Sequence, residues 1–403
     1  MKRAVTIKGL NISRSLFSNE IVIMFMLFPF FKNSGFDFVV GLSEICNVLI
    51  AAQCLIFFTL VILEKRMSPF AVLVIVFEIW TYLIAPRISQ SEPPSIFYLA
   101  GAIGMISLFE LGFSCSPKKF MYSVSRFFTL MIVVNLLLMF LFPEGLLVTD
   151  NEQIYLFGLR TGFSLFILPG LLFNCIYDDM EGKKSVSTIV CIVAGIASLL
   201  AQWVATGILE VAIVIILLAI FRDKEIAKYF NVWIISLVIM AIDFVITIIG
   251  SQNIFVIIVT KILNRDISLT GRTEIWAEVM KKLNSSPIAG YGVDSSVYVG
   301  LEEKTAHNQW LHFAMESGYV GLAIMLIAIL VSCWQLTKCV EKKWYITIAS
   351  FIVSILIACI AEIQIYVPFF YAVFELPFLM KEYSMREKHG SIRKGGKYDV
   401  STV

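Results

Sequence analysis

Few residues in this chain could do chemistry, and most of them stand where an apolar segment begins or ends. Three histidines occur: His307, His312 and His389. A neutral imidazole can take a proton from a hydroxyl near neutral pH. His307, within Ala306-His307-Asn308-Gln309-Trp310, opens an apolar run, where it serves as such a base or simply caps the helix. His312 follows about one turn later, and His389 lies in a basic tail. Arg272 can clamp a phosphate oxyanion through its planar, permanently charged fork, or it can anchor a lipid headgroup. Arg160 falls in an apolar stretch, where a charge either faces a cavity or snorkels to the interface. Glu210 and Asp243 read as structural ion-pair partners for these arginines. Asp294, Glu302 and Glu303 are carboxylates that could replace His307 as base or be solvated loop charges. Glu78, Glu362 and Glu375 lie in apolar surroundings without an evident role.

The elements that must position these groups are membrane helices. The 403 residues are 59% hydrophobic and only 15% charged, with a mean hydropathy of +0.85. A soluble domain carries about 25% charged residues, so this chain lacks the polar surface needed to face water. The net charge of +2 comes from basic residues spread among loops, which excludes a nucleic-acid face. Crossing the hydrocarbon takes about 20 apolar residues. Twelve runs come close: 16–31, 42–63, 69–86, 95–114, 126–142, 155–176, 186–204, 206–221, 229–250, 308–334, 344–361 and 363–380. The eight cysteines lie mostly inside these runs without metal-type spacing, so they read as small buried hydrophobes and not as disulfides.

The loops orient the runs. With the N-terminus in the cytoplasm, 23 of the 32 lysines and arginines fall on the cytoplasmic side, while the short outer loops hold only Lys32 and Arg87. Both termini are then cytoplasmic, and the first run is a retained anchor. The same count puts Asp178-Asp179 on the cytoplasmic face beside Glu181, Lys183 and Lys184. It resembles a nucleotide-sugar metal site, but there it is a solvated hairpin. The expected fold is an all-α integral membrane protein of about twelve transmembrane helices. Residues 1–380 form one polytopic domain and 381–403 a mobile cytoplasmic tail. Between the ninth and tenth runs, residues 251–306 form an extracytoplasmic loop, the one outer segment large enough to build a site. Within it Ile275, Trp276, Val279, Met280 and Leu283 recur at helical spacing. They predict a short amphipathic helix on the outer membrane face, with Trp276 among the headgroups. Pro287, Gly290 and Gly292 end it in a turn.

The ordered stretch TGRTEIW…SSPIAGYGVDS…AHNQWLHFAMESGYVGL, over about residues 269–325, resembles the C-terminal signature of the O-antigen ligase and Wzy-type polysaccharide polymerase family. That signature joins an S/T-G-R-x-x-x-W helix, a Pro…Gly-x-Gly turn, an A-H-N-x-x-L stretch and an E-x-G helix entry. Leu159-Arg160-Thr161-Gly162-Phe163 through Pro169 is similar to the family's arginine-containing outer helix end. The family's Ser-Arg pair between the seventh and eighth helices is replaced here by Gln202-Trp203-Val204-Ala205-Thr206-Gly207, and its Pro-Asn by Pro169-Gly170. The resemblance therefore carries over two arginines, Arg272 and Arg160.

The resemblance implies a GT-C-like enzyme of the inner membrane with its site facing the exterior. Its donor would be a glycan on a polyprenyl pyrophosphate, and its acceptor another lipid-linked repeat unit (polymerase) or a lipid A core (ligase). The polymerase, for O-antigen or capsule, is the preferred reading. A transporter or flippase is disfavoured, because no paired repeat or interrupted helix is visible. Pyrophosphate is already a good leaving group, so cations that stabilise charge on the bridging oxygen suffice. No cofactor or metal is expected. His307, Arg272 and Arg160 are the expected catalytic residues. Asn308, Glu274, Trp276, Gly290, Gly292, Asp294 and Glu210 are weaker substrate contacts, with backbone amides of the glycine turn assisting a phosphate. Partners would be membrane lipids and possible chain-length regulators.

Overall fold

A computed structural model describes residues 15–89, 95–149, 152–221, 223–248, 270–293, 306–340 and 342–395. It is 79% helical. The helices are α1 (Glu20–Leu27, extended by a 3-10 turn to Phe31), α2 (Leu42–Glu64), α3 (Pro69–Ile79), α4 (Ile96–Cys115), α5 (Pro117–Leu141), α6 (Ser164–Glu181), α7 (Val186–Ala201), α8 (Ala205–Ile220), α9 (Val232–Ile248), α10 (Thr270–Leu283), α11 (Gln309–Thr337), α12 (Lys343–Ala358) and α13 (Pro368–Gly395). A π turn and a last helical turn continue α3 to Ser89. Six of these helices are long and apolar enough to cross a membrane, and five more are apolar but shorter. Each of the twelve apolar runs of the sequence contains a helix.

Their ends follow local chemistry. Ser68 accepts from the Ala71 amide and Pro69 fills the first turn of α3, where a missing N–H is harmless. Ser185 caps α7 in the same way, and Gly182, left-handed at φ 74°, stops α6. Between the helices, lipid offers no hydrophobic drive to associate, so close packing and buried polar links hold them. Of the most apolar stretch of α4, with its Ala100, Gly101, Ala102 and Gly104, 78% is buried, against 28% for α2. The small residues let α4 sit at the centre while α2 faces lipid. Asn174 of α6 donates to the carbonyls of Ser125 and Gly170 and accepts from Thr129, which in turn receives the Ser187 hydroxyl of α7.

One expectation about the spans needs correction. The run 155–176 does not start as a helix. Residues Leu147–Thr149, Glu152–Tyr155 and Gly158–Leu159 form a small antiparallel sheet, β1-β2-β3, and α6 begins only at Ser164. The sheet is pinned because Tyr155 is fully buried, donating to the Pro143 carbonyl and receiving Gln202 Nε2, while Asn135 accepts from the Phe157 amide. The segment expected as a tail, 381–403, begins as helix. Helix α13 runs on to Gly395, and Arg386 donates to the carbonyls of Phe113 and Ser114, tying it to the end of α4. Residues 251–269 and 294–305 of the outer loop, and 396–403 of the tail, lie outside the described residues.

Helix α11 is two rods joined at Gly318, whose φ of 67° and ψ of −176° are open essentially to glycine alone. The turn after α10 fills this kink. The amides of Tyr291, Gly292 and Tyr319 donate to Met315, Glu316 and Pro287 carbonyls, and a Cβ on Gly318 would overlap the Ile288 carbonyl. Gly318→Ala is expected to lose most folded protein from the membrane, since strain of about 1–3 kcal/mol adds to that overlap. Size-exclusion of a fluorescent fusion reads the outcome.

Candidate functional site

Helix α10 presents the first part of the signature. Its inward face is not among headgroups, as expected, but in a small core. Trp276 (3% exposed), Val279 and Leu283 pack on Leu311, Ala314 and Met315 of α11. The indole of Trp276 donates to the Ala306 carbonyl at 2.9 Å, which fixes the backbone immediately before His307. Burying that large ring beside α11 removes more apolar surface from water than an interfacial position would. Arg272 stands one turn before Trp276 on the same helix. The side chains of Arg272 and Glu274, and all of Asp294, Glu302 and Glu303, lie outside the described residues.

The A-H-N-Q stretch makes a junction of three elements. Asn308 is fully buried and caps α11, its Oδ1 accepting from the amides of Trp310 (3.0 Å) and Leu311 (2.9 Å). Its Nδ2 donates to Asp243 Oδ1 of α9 at 2.9 Å and to the Ile360 carbonyl at 3.1 Å. Gln309 continues the clasp. Its amide donates to the Cys359 carbonyl, and its Oε1 accepts from the amides of Gln364 and Ile365. The linker between α12 and α13 is thereby held against the start of α11.

That linker carries Glu362, and its Oε2 lies 3.6 Å from His307 Nδ1, both side chains about a quarter exposed. The distance is an ion-pair separation, longer than a hydrogen bond. His307 itself has a positive φ of 45°, uncommon for a residue with a Cβ, as found at functional turns. Sequence reasoning saw no role for Glu362. The signal available was its place in the short linker between two apolar runs, two residues before the Gln364 amide that Gln309 grips.

Glu210 and Asp243 reach this junction but do not pair with arginines among the described residues. Asp243 is satisfied by Asn308 and Thr247. Neutral amide and hydroxyl donors meet a buried carboxylate without bringing a second charge out of water. Glu210 is buried against Ser164 of α6, its main-chain carbonyl accepts from Ser354 of α12, and it lies near enough to Glu362 for their charges to interact. Arg160 opens the 3-10 turn before α6, one turn from Ser164. Its side chain is exposed, not within apolar packing, and makes no ion pair or hydrogen bond among the described residues. The sheet explains this, because it lifts Arg160 out of the helix that hydropathy implied. His312 pairs with Glu316 at 3.2 Å and is partly buried. The amides of Gly290 and Gly292 donate to Ser286 and Glu316 carbonyls, so both are spent inside the fold.

The structure therefore gathers His307, Asn308, Glu362, Asp243 and Glu210 around one junction, with Arg160 one turn above Ser164 at its edge. Asn308→Ala would strip two amide caps, worth about 1 kcal/mol, and leave Asp243 short of a donor, costing about 1–3 kcal/mol. Purified Asn308→Ala protein is expected to melt several degrees lower, while Asn308→Ser recovers the cap and part of the loss. Thermal scanning in detergent checks both.

No curated protein matches the chain. Residues 189–326, from α7 to the middle of α11, match the family model described as O-antigen ligase, the same family whose signature the 269–325 stretch resembles.

Proposed function

We propose that the protein is a glycosyltransferase that polymerises polyprenyl-pyrophosphate-linked repeat units at the outer face of the cytoplasmic membrane. The family match supports glycosyl transfer of the O-antigen ligase or polymerase kind. The observation that carries the site is His307 at the mouth of α11, oriented by a clasped linker that brings Glu362 to 3.6 Å.

In this reading His307 accepts the proton of the acceptor sugar hydroxyl as its oxygen bonds to the donor's anomeric carbon. The bond from that carbon to the pyrophosphate oxygen breaks, and its electron pair leaves with the polyprenyl pyrophosphate. Attack opposite the leaving group inverts the anomeric centre. Glu362 steadies the imidazolium that forms, as a carboxylate does beside any histidine base. Arg272 and Arg160 neutralise the departing pyrophosphate. Asn308 acts by holding the base and its linker in register. Transfer to a lipid A core by the same chemistry is the second reading, since the family model's description names a ligase.

Glycan profiles of a deletion strain complemented with wild type, His307→Ala or Arg272→Ala test this. Removing a general base costs about 10²–10⁴-fold in rate, so the His307→Ala strain is expected to show only single-repeat glycan. Arg272→Ala should be similarly deficient. Unmodified core with accumulated lipid-linked polymer indicates the ligase, and full-length glycan from both variants overturns the site. In vitro, the wild-type rate should fall toward acid pH as the imidazole gains its proton and can no longer act as base.

A further inference from the structure

A cavity of about 720 Å³ lies beside the junction and takes no part in the chemistry above. Its volume is within the ~300–1,000 Å³ of small-ligand sites. Its walls come from the loop after α1, the starts of α2, α4 and α13, the end of α3 and the turn before α6. The charge count assigns every one of these segments to the outer side. Two of them tie the cavity to the reacting groups. Leu159, Thr161 and Gly162, which flank Arg160, line one side, and Tyr366, four residues beyond Glu362, lines another. Four residues of chain reach at most about 14 Å, so the cavity lies within a short oligosaccharide's length of Glu362.

Its lining is specific in type. Asp37, Glu44 and Glu78 face a single cation, Lys32, whose ammonium already donates to Asn47 at 2.7 Å. The exposed carboxylates Asp37 and Glu44 outnumber that one spoken-for lysine, which disfavours a pyrophosphate. Around them stand Tyr82, Tyr98, Tyr366 and Tyr371, with the rings of Tyr82 and Tyr98 stacked at 6.4 Å. Aromatic faces carry negative charge density that attracts the polarised C–H bonds of a pyranose face, while carboxylates and amides accept from its hydroxyls. Glu78 is the sharpest feature. It is 2% exposed, the Tyr371 hydroxyl lies against it, and its Oε2 has no hydrogen-bond partner among the described residues. A buried polar oxygen without a donor is costly, and a sugar hydroxyl in the cavity would supply one.

We infer that this cavity is a saccharide subsite that grips neutral sugar rings of a lipid-linked substrate through Glu78 and the tyrosine walls, apart from the groups that hold the pyrophosphate. The inference rests on the glycosyl-transfer reading, but binding can be tested without turnover. The full chain in lipid nanodiscs would be titrated with two probes. One is the repeat-unit oligosaccharide freed from its carrier by mild acid, and the other is farnesyl pyrophosphate, which has no sugar. Saturation-transfer NMR is expected to show the oligosaccharide binding wild type and His307→Ala alike. Glu78→Gln, nearly the same shape, and Tyr98→Ala, at an exposed position, should each weaken it by about tenfold or more. Farnesyl pyrophosphate should not displace it. In transfer assays the same two variants should raise KM for one glycan, and whether that is donor or acceptor tells which sugar occupies the cavity. Undiminished oligosaccharide affinity in both variants, or displacement by farnesyl pyrophosphate, overturns the subsite. A protein that binds the oligosaccharide in this pattern yet transfers nothing would sink the transfer reading and leave the subsite standing.

Discussion

The buried carboxamide of Asn308 is the contact on which the functional end of this molecule depends. A polar group inside a membrane protein must find partners within the protein, because lipid supplies none. Asn308 meets that demand by using both ends of its amide, accepting from α11 and donating to α9 and to the linker after α12. Three elements distant in sequence thus share one planar group of fixed geometry. Gln309 repeats the arrangement on the neighbouring linker residues. His307 and Glu362 approach each other because the residues beside them are pinned.

The glycines of the signature belong to the same logic. Gly290, Gly292 and Gly318 all have positive φ, and at Gly290 and Gly318 two backbones interlock where a Cβ would collide. The turn, too short in sequence to cradle a phosphate alone, is a mortise joining α10 to the bend of α11. Trp276 completes it by holding the Ala306 carbonyl. The signature residues are therefore of two kinds: those that would touch substrate, and those that place them.

Much of this was legible beforehand, for identifiable reasons. Long apolar runs bounded by charges mark helices without any need for tertiary information, so each run was found to hold one. The helix at 270–283 was visible from its 3.6-residue period. Its burial was not, because an amphipathic stripe looks the same whether it meets lipid headgroups or a neighbouring helix. The sheet at 147–159 was missed because the apolar residues Ile154 to Leu159 run on, across only Arg160 to Gly162, into the apolar α6 and so look like one span. That merger is also what made Arg160 look buried. Glu362 was invisible as a partner for His307, since their meeting depends on Asn308 and Gln309 gripping a linker some fifty residues away.

The bend at Gly318 also separates two mechanical tasks. Below it, Tyr319 to Thr337 is a rod locked into the bundle, with Met325, Ala328, Ile329, Cys333 and Leu336 buried and Ser332 donating to the Phe374 carbonyl of α13. Above it, Gln309 to Ser317 is clamped by the turn, the linker and α10. The signature end can then take its own direction and its own partners while the lower rod keeps those of the bundle. A straight helix of the same length would close the gap that the Pro287 to Gly292 turn now occupies, and would leave that turn without the carbonyls its amides reach.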